Sequence, residues 1–143
     1  MRLALILSVL LGAGPVLAQD DLSAATRWLM AQQIEQGCDG AGRFEGGVYE
    51  RDLTGDGRRD LILSHDGIVC DGDFARSGFC GAQVCSALFY VGAPDGTLRQ
   101  VDEVISLVGT ISDDALPVIE MYSHGGTFYA LRWNGTEFGD YSE

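Results

Sequence analysis

Asp52-Leu53-Thr54-Gly55-Asp56-Gly57-Arg58-Arg59-Asp60-Leu61-Ile62-Leu63 places oxygen-bearing side chains at its first, third, fifth and ninth positions and ends in an unbroken apolar run. A chain that wraps a hard cation turns alternate side chains inward, so Asp52, Thr54, Asp56 and Asp60 have the spacing of calcium ligands. Gly57, at the sixth position, supplies the positive φ of a sharp turn that lets the Arg58 carbonyl face the same point. The twelfth position is Leu63, where a helix-loop-helix site has a glutamate, and Leu61-Ile62-Leu63 reads as a buried strand. The loop is therefore expected to join two strands. The alternative is a plain hairpin turn at Asp56-Gly57, since Asp-Gly is a turn signal by itself. Against it, three carboxylates within nine residues would repel one another around a turn that holds no cation.

The pattern Asp-x-Thr-x-Asp-Gly-x-x-Asp-Leu-Ile-Leu resembles the calcium loop of FG-GAP and VCBS-type repeat proteins. The resemblance covers only positions 49 to 64 or so, and the chain carries the motif once, too short for the several blades of a propeller. It implies a Ca2+ ion held by Asp52, Thr54, Asp56, the Arg58 carbonyl and Asp60, in a module for extracellular recognition or scaffolding. Thr54 departs from the family pattern, and its neutral hydroxyl implies weaker binding than a carboxylate would give.

The chain opens with Arg2, an apolar run from Leu3 to Leu11, a Gly12-Ala13-Gly14-Pro15 break and then Val16-Leu17-Ala18. This is the pattern of a secretory signal peptide, 1–18, with cleavage expected after Ala18, and the run is far below the ~20 residues that span a bilayer. Residues 19–143 are expected to form one domain, exported to the periplasm or beyond. The net charge is −12, and removing Arg2 makes it −13, which disfavours nucleic acid and anionic membranes as partners.

An oxidising compartment lets disulfides persist, which sets the reading of Cys38, Cys70, Cys80 and Cys85. Four cysteines allow three connectivities. The short Gly81-Ala82-Gln83-Val84 spacer favours Cys80 with Cys85, leaving Cys38 with Cys70. A zinc site built from the same four is the alternative, although none lies in a Cys-x-x-Cys pair.

Leu22, Ala25 and Leu29 recur at helical spacing, with Trp28, Met30 and Ile34 widening the apolar face, so a helix is expected over 22–36 with Trp28 and Met30 in the core. Asp20 and Asp21 suit its positive end and Gly37 its stop. Strands are expected near 46–51, 60–65, 83–91, 97–101, 103–111, 117–123, 127–133 and 136–141, separated by turn residues such as Pro94-Asp95-Gly96 and Asn134-Gly135. A two-residue Asn134-Gly135 turn would set Trp133 opposite Thr136 and Leu131 opposite Phe138, with Tyr129, Leu131, Trp133 and Phe138 on the core face. The stretch 67–81 reads as a disulfide-pinned loop whose Asp71 and Asp73, with Asp66, are candidates to complete a cation shell. The fold class is α+β, one N-terminal helix packed on a mainly antiparallel sheet.

A nucleophile, base and acid can be assembled on paper from Ser64, His65 and Asp66 or from Ser123 and His124, but no catalytic motif accompanies them. The expected role is non-enzymatic, with a protein or glycan of the cell envelope as partner. An inhibitor of a cell-wall hydrolase or protease is the second reading, for which Phe79 beside Cys80 is the candidate contact, and a small secreted hydrolase is the third.

Overall fold

The structure, a computed structural model, describes residues 21–142; the signal-peptide reading lies outside them. Its centre is β3, Asp60–Ser64, in which every residue is buried. An antiparallel sheet of order β2-β3-β5-β6 forms around it, from Val48–Arg51, β3, Ser86–Gly92 and Leu98–Ile105. Leu61 pairs with Tyr90, Ile62 with Phe89 and Leu63 with Leu88. Side chains alternate across a strand, so Leu61, Leu63, Leu88 and Tyr90 point one way and Ile62, Ala87 and Phe89 the other. Both faces are covered. The first set packs with Met30, Phe44, Ile68 and Cys70, and the second with Ile119, Met121, Leu131 and Phe138. Two-sided burial explains why β3 is written as a continuous apolar run and not as an alternation.

The first layer is helix α1, Ala24–Gly37, together with a two-stranded ladder of β1, Gly42–Phe44, and β4, Ile68–Cys70. Ser23 caps α1 by accepting from the Thr26 amide at 3.1 Å, while its own amide donates to Glu50 Oε2 at 2.8 Å. The capping falls to Ser23, and the first turn carries no acid. Met30 is buried, but Trp28 is 62% exposed, correcting its placement in the core. The helix buries Thr26 and Met30, four residues apart, and positions two apart do not share a face.

The third layer is a second antiparallel sheet of order β10-β9-β8-β7, from Phe138–Asp140, Phe128–Trp133, Ile119–Tyr122 and Leu107–Ile111. The expected strands at 97–101 and 103–111 are instead divided at Ser106, where the chain leaves the first sheet for the second. Ser106 is buried, its amide donates to the Cys85 carbonyl at 3.0 Å and its hydroxyl meets the Tyr129 hydroxyl at 2.6 Å. In the last hairpin Trp133 lies opposite Phe138, so the loop has four residues and the expected register is off by two. Asn134 Oδ1 accepts from the Thr136 and Glu137 amides, which widens the turn. An even shift leaves every side chain on its face, and Tyr129, Leu131, Trp133 and Phe138 do share the core.

Both disulfides pair as expected. Cys38–Cys70 ties the end of α1 to β4, and Cys80–Cys85 closes a short loop before β5. The stretch 67–81 is thus only partly loop. Its first residues form β4, where Gly42 opposite Cys70 leaves no room for a Cβ, which would sit 2.8 Å from the Val69 carbonyl. With a sequence separation of 32 against 5, Cys38–Cys70 restricts the unfolded chain more. Replacing both Cys38 and Cys70 by Ser should cost about 3 to 4 kcal/mol, and Cys80 with Cys85 about 2, in denaturant unfolding. Equal losses for the two pairs would contradict this.

Candidate metal centre

The loop between β2 and β3 closes around carboxylates. Asp52 Oδ1 accepts from the Gly55 and Asp56 amides at 2.7 and 3.3 Å, and Oδ2 from the Gly57 amide at 2.8 Å. Gly55 and Gly57 have φ of 75° and 82°, and this double reversal turns successive amides toward Asp52. Asp56 accepts from its neighbour's amide, Arg58, at 2.8 Å and forms an ion pair with the Arg58 guanidinium. Arg58 Nε in turn donates to the Gly92 carbonyl at 2.9 Å. Leu53, fully buried in the core between the sheets, anchors the loop from beneath.

Asp60 does something different. It has no exposed surface, and its carboxylate accepts from the Leu53 and Thr54 amides at 2.8 and 2.9 Å and from the Gly92 amide at 2.9 Å. Three of the roughly four lone-pair sites of a carboxylate are therefore taken by backbone. A buried carboxylate with no cationic partner is costly unless hydrogen-bonded, and these amides supply the bonds.

A hard cation fits this loop in part. The Thr54 hydroxyl oxygen, at the third position, is buried with no hydrogen-bond partner, which is where a ligand oxygen would be expected. Asp52 and Asp56 lie on the same turn, the Asp52 carboxylate accepting three amides of the loop itself and the Asp60 carboxylate three amides beneath it, and among the described residues no three of His, Cys, Asp or Glu gather as metal ligands would. Asp66, Asp71 and Asp73 lie beyond the far end of β3, roughly 13 Å of strand from Asp60. There Asp66 accepts from the Ser64 hydroxyl and Asp71 pairs with Arg43 at 3.3 Å.

The histidines are apart from any relay. His65 is 1% exposed, stacks on Phe79 with ring centroids 4.3 Å apart, and neither of its nitrogens has a hydrogen-bond partner. Ser64 donates to Asp66 and bypasses it. Burial holds the imidazole well below its ordinary value, at about 4, against the opposing pull of Glu103 and Asp66. His124 sits in an exposed turn, while Ser123 donates to the Thr127 carbonyl at 3.3 Å. Phe79 is thus occupied in packing. The exposed aromatic of the disulfide-held segment is Phe74, 86% accessible, a correction that alternation could not supply because the segment has no regular period.

Two open grooves lie on the described surface. One of about 290 Å³ lies beside the loop, lined by Ser23, Glu50, Arg58, Arg59 and Leu98. The other, of about 640 Å³, lies on the second sheet, lined by Glu120, Phe128, Asp140 and Tyr141. No protein-family model, curated protein or solved structure matches the chain significantly.

Asp60→Ala strands three amides and should lower stability by at least about 3 kcal/mol even in chelator; a loss confined to calcium-loaded protein would make Asp60 act through the ion. For His65, the unfolded imidazole titrates near 6.5. As pH falls from 6.5 to about 4 the unfolded chain takes up a proton that the folded chain refuses, so stability drops, on the order of 2 kcal/mol, and above 6.5 the group contributes no slope. His65→Leu should flatten that part of the stability profile, and an unchanged profile would contradict it.

Proposed function

We propose that the chain is an exported, non-catalytic binding module whose Asp52–Asp60 loop takes up calcium weakly. The observation that carries the reading is the unpartnered, buried Thr54 hydroxyl on a loop already wound around Asp52. Asp52, Thr54, Asp56 and the Arg58 carbonyl would hold the ion, with Asp60 bracing the loop from behind through its amides. The bound cation would supply positive charge among carboxylates of a chain at −12, and Asp56 would exchange its Arg58 partner for it. The FG-GAP and VCBS-type resemblance agrees with a recognition or scaffolding role toward a protein or glycan of the cell envelope. Export is supported by the signal-like first 18 residues and by two disulfides, and among the described residues no helix is long and apolar enough to cross a membrane.

The second reading, an inhibitor of a cell-wall hydrolase or protease, is favoured by the presentation of Phe74 between two cysteines. A hydrolase would need an imidazole within reach of a serine hydroxyl, and the two hydroxyls beside His65 and His124 donate elsewhere.

With one neutral ligand and no twelfth-position glutamate, a Kd of about 10⁻⁴ to 10⁻³ M is expected. At 10 mM calcium this adds about 1.4 to 2.7 kcal/mol, or roughly 5 to 10 °C in Tm, relative to chelator. Asp56→Ala should melt at one temperature in both conditions, because its exposed side chain has no core role. Coincident wild-type curves in calcium and chelator would reduce the loop to a turn.

A further inference from the structure

The segment Asp71–Ser77 is held more firmly than a surface turn needs. Cys70, at its start, is bonded to Cys38 and its amide donates to the Ala75 carbonyl at 2.8 Å, closing a turn of six residues. Val69 bridges to Arg76, and the Asp71 amide reaches the Ala41 carbonyl at 3.1 Å. Beyond the turn Ser77 is buried, the Gly78 amide donates to the Gly37 carbonyl at 2.8 Å, Phe79 stacks on His65 and Cys80 is bonded to Cys85. Each end of the turn is thus anchored by a disulfide and backbone bonds, yet the apolar residue it carries, Phe74, is 86% exposed. Its flanks, Asp71 and Asp73, are exposed as well.

We infer that Phe74 is the anchor of a protein–protein contact, its ring entering an apolar pocket on a partner whose rim is basic. An aromatic ring held out on a preorganised turn loses little freedom on binding, which is the character of residues that dominate interfaces. Among the described residues Asp73 is the unpaired acid of the turn, Asp71 being paired with Arg43 and Arg76 lying exposed beside them, and with a chain net charge of −12 it favours a cationic surround and orients the approach. Anionic lipid would be repelled by the same charges.

The inference rests on the binding-module reading, and the experiment separates the two. The full chain carrying p-benzoylphenylalanine in place of Phe74, and a second version with it in place of Phe128 on the far sheet, are exported by producing cells and irradiated. The expected result is a discrete adduct from position 74 with one basic protein. Purified, that protein should bind wild type at least about 30-fold more tightly than Phe74→Ala, whose Tm should equal wild type. Asp73→Asn should flatten the salt dependence of binding. A lipid or glycan adduct, no adduct at position 74, or a partner that binds Phe74→Ala as well as wild type overturns the inference. A partner reached only from position 128 leaves the module reading standing and removes Phe74 from it.

Discussion

A single buried carboxylate ties three parts of the chain together. Asp60 begins the central strand, and through the Leu53, Thr54 and Gly92 amides it holds both the entry of the loop and the end of β5. Charge-assisted bonds to amides are short and directional, so they set the register of β3 against β5 as well as the shape of the loop. The register matters because β3 is packed on both sides. A slip of one residue would exchange Leu61 and Leu63, which meet the helix layer, with Ile62, which meets the second sheet.

The same chemistry recurs at several of the turns. Asp52 gathers three amides, Asp95 accepts from the Thr97 hydroxyl and amide, which hold its carboxyl below the usual range, and Asn134 gathers two amides. In a chain without lysine, acids are neutralised by backbone dipoles more than by ion pairs, and among the described residues the ion pairs that do form all use arginine. Asp95-Gly96 and Asn134-Gly135 therefore mark turns built from carboxylate or amide side chains. A cation at the Asp52 loop would add to an arrangement that already closes on itself.

What was legible in the sequence followed from strong local rules. The apolar run after Asp60 marked a buried strand, the four-residue spacer marked Cys80–Cys85, and the class of one helix on antiparallel sheet came from periodicity and short connections. The misses lie where such local rules give out. Trp28 reads as core because it widens the apolar face of the helix, whereas the buried face is set by Thr26 and Met30. The ladder of β1 and β4 involves only three residues a side, too few to show a period. Ser106 looks like any strand residue, and its part in passing the chain between sheets depends on Tyr129, 23 positions away. At the candidate site, spacing located the loop but could not tell which amides each carboxylate would take. Asp60 and Asp52 are the same residue type, and only their neighbours in space separate them.

The crossing at Ser106 also makes one continuous run, β6 followed by β7, the border of both sheets. Borders are where a second chain can add as a further strand and begin aggregation. The opposite borders, β2 and β10, offer four and three residues. The longest, β6, has eight, and among them are Arg99, Asp102 and Glu103. A second copy adding antiparallel to β6 around these adjacent acids would bring carboxylates opposite carboxylates, a pairing that like-charge repulsion opposes. The acidity of this chain thus guards the one edge long enough to recruit its own kind.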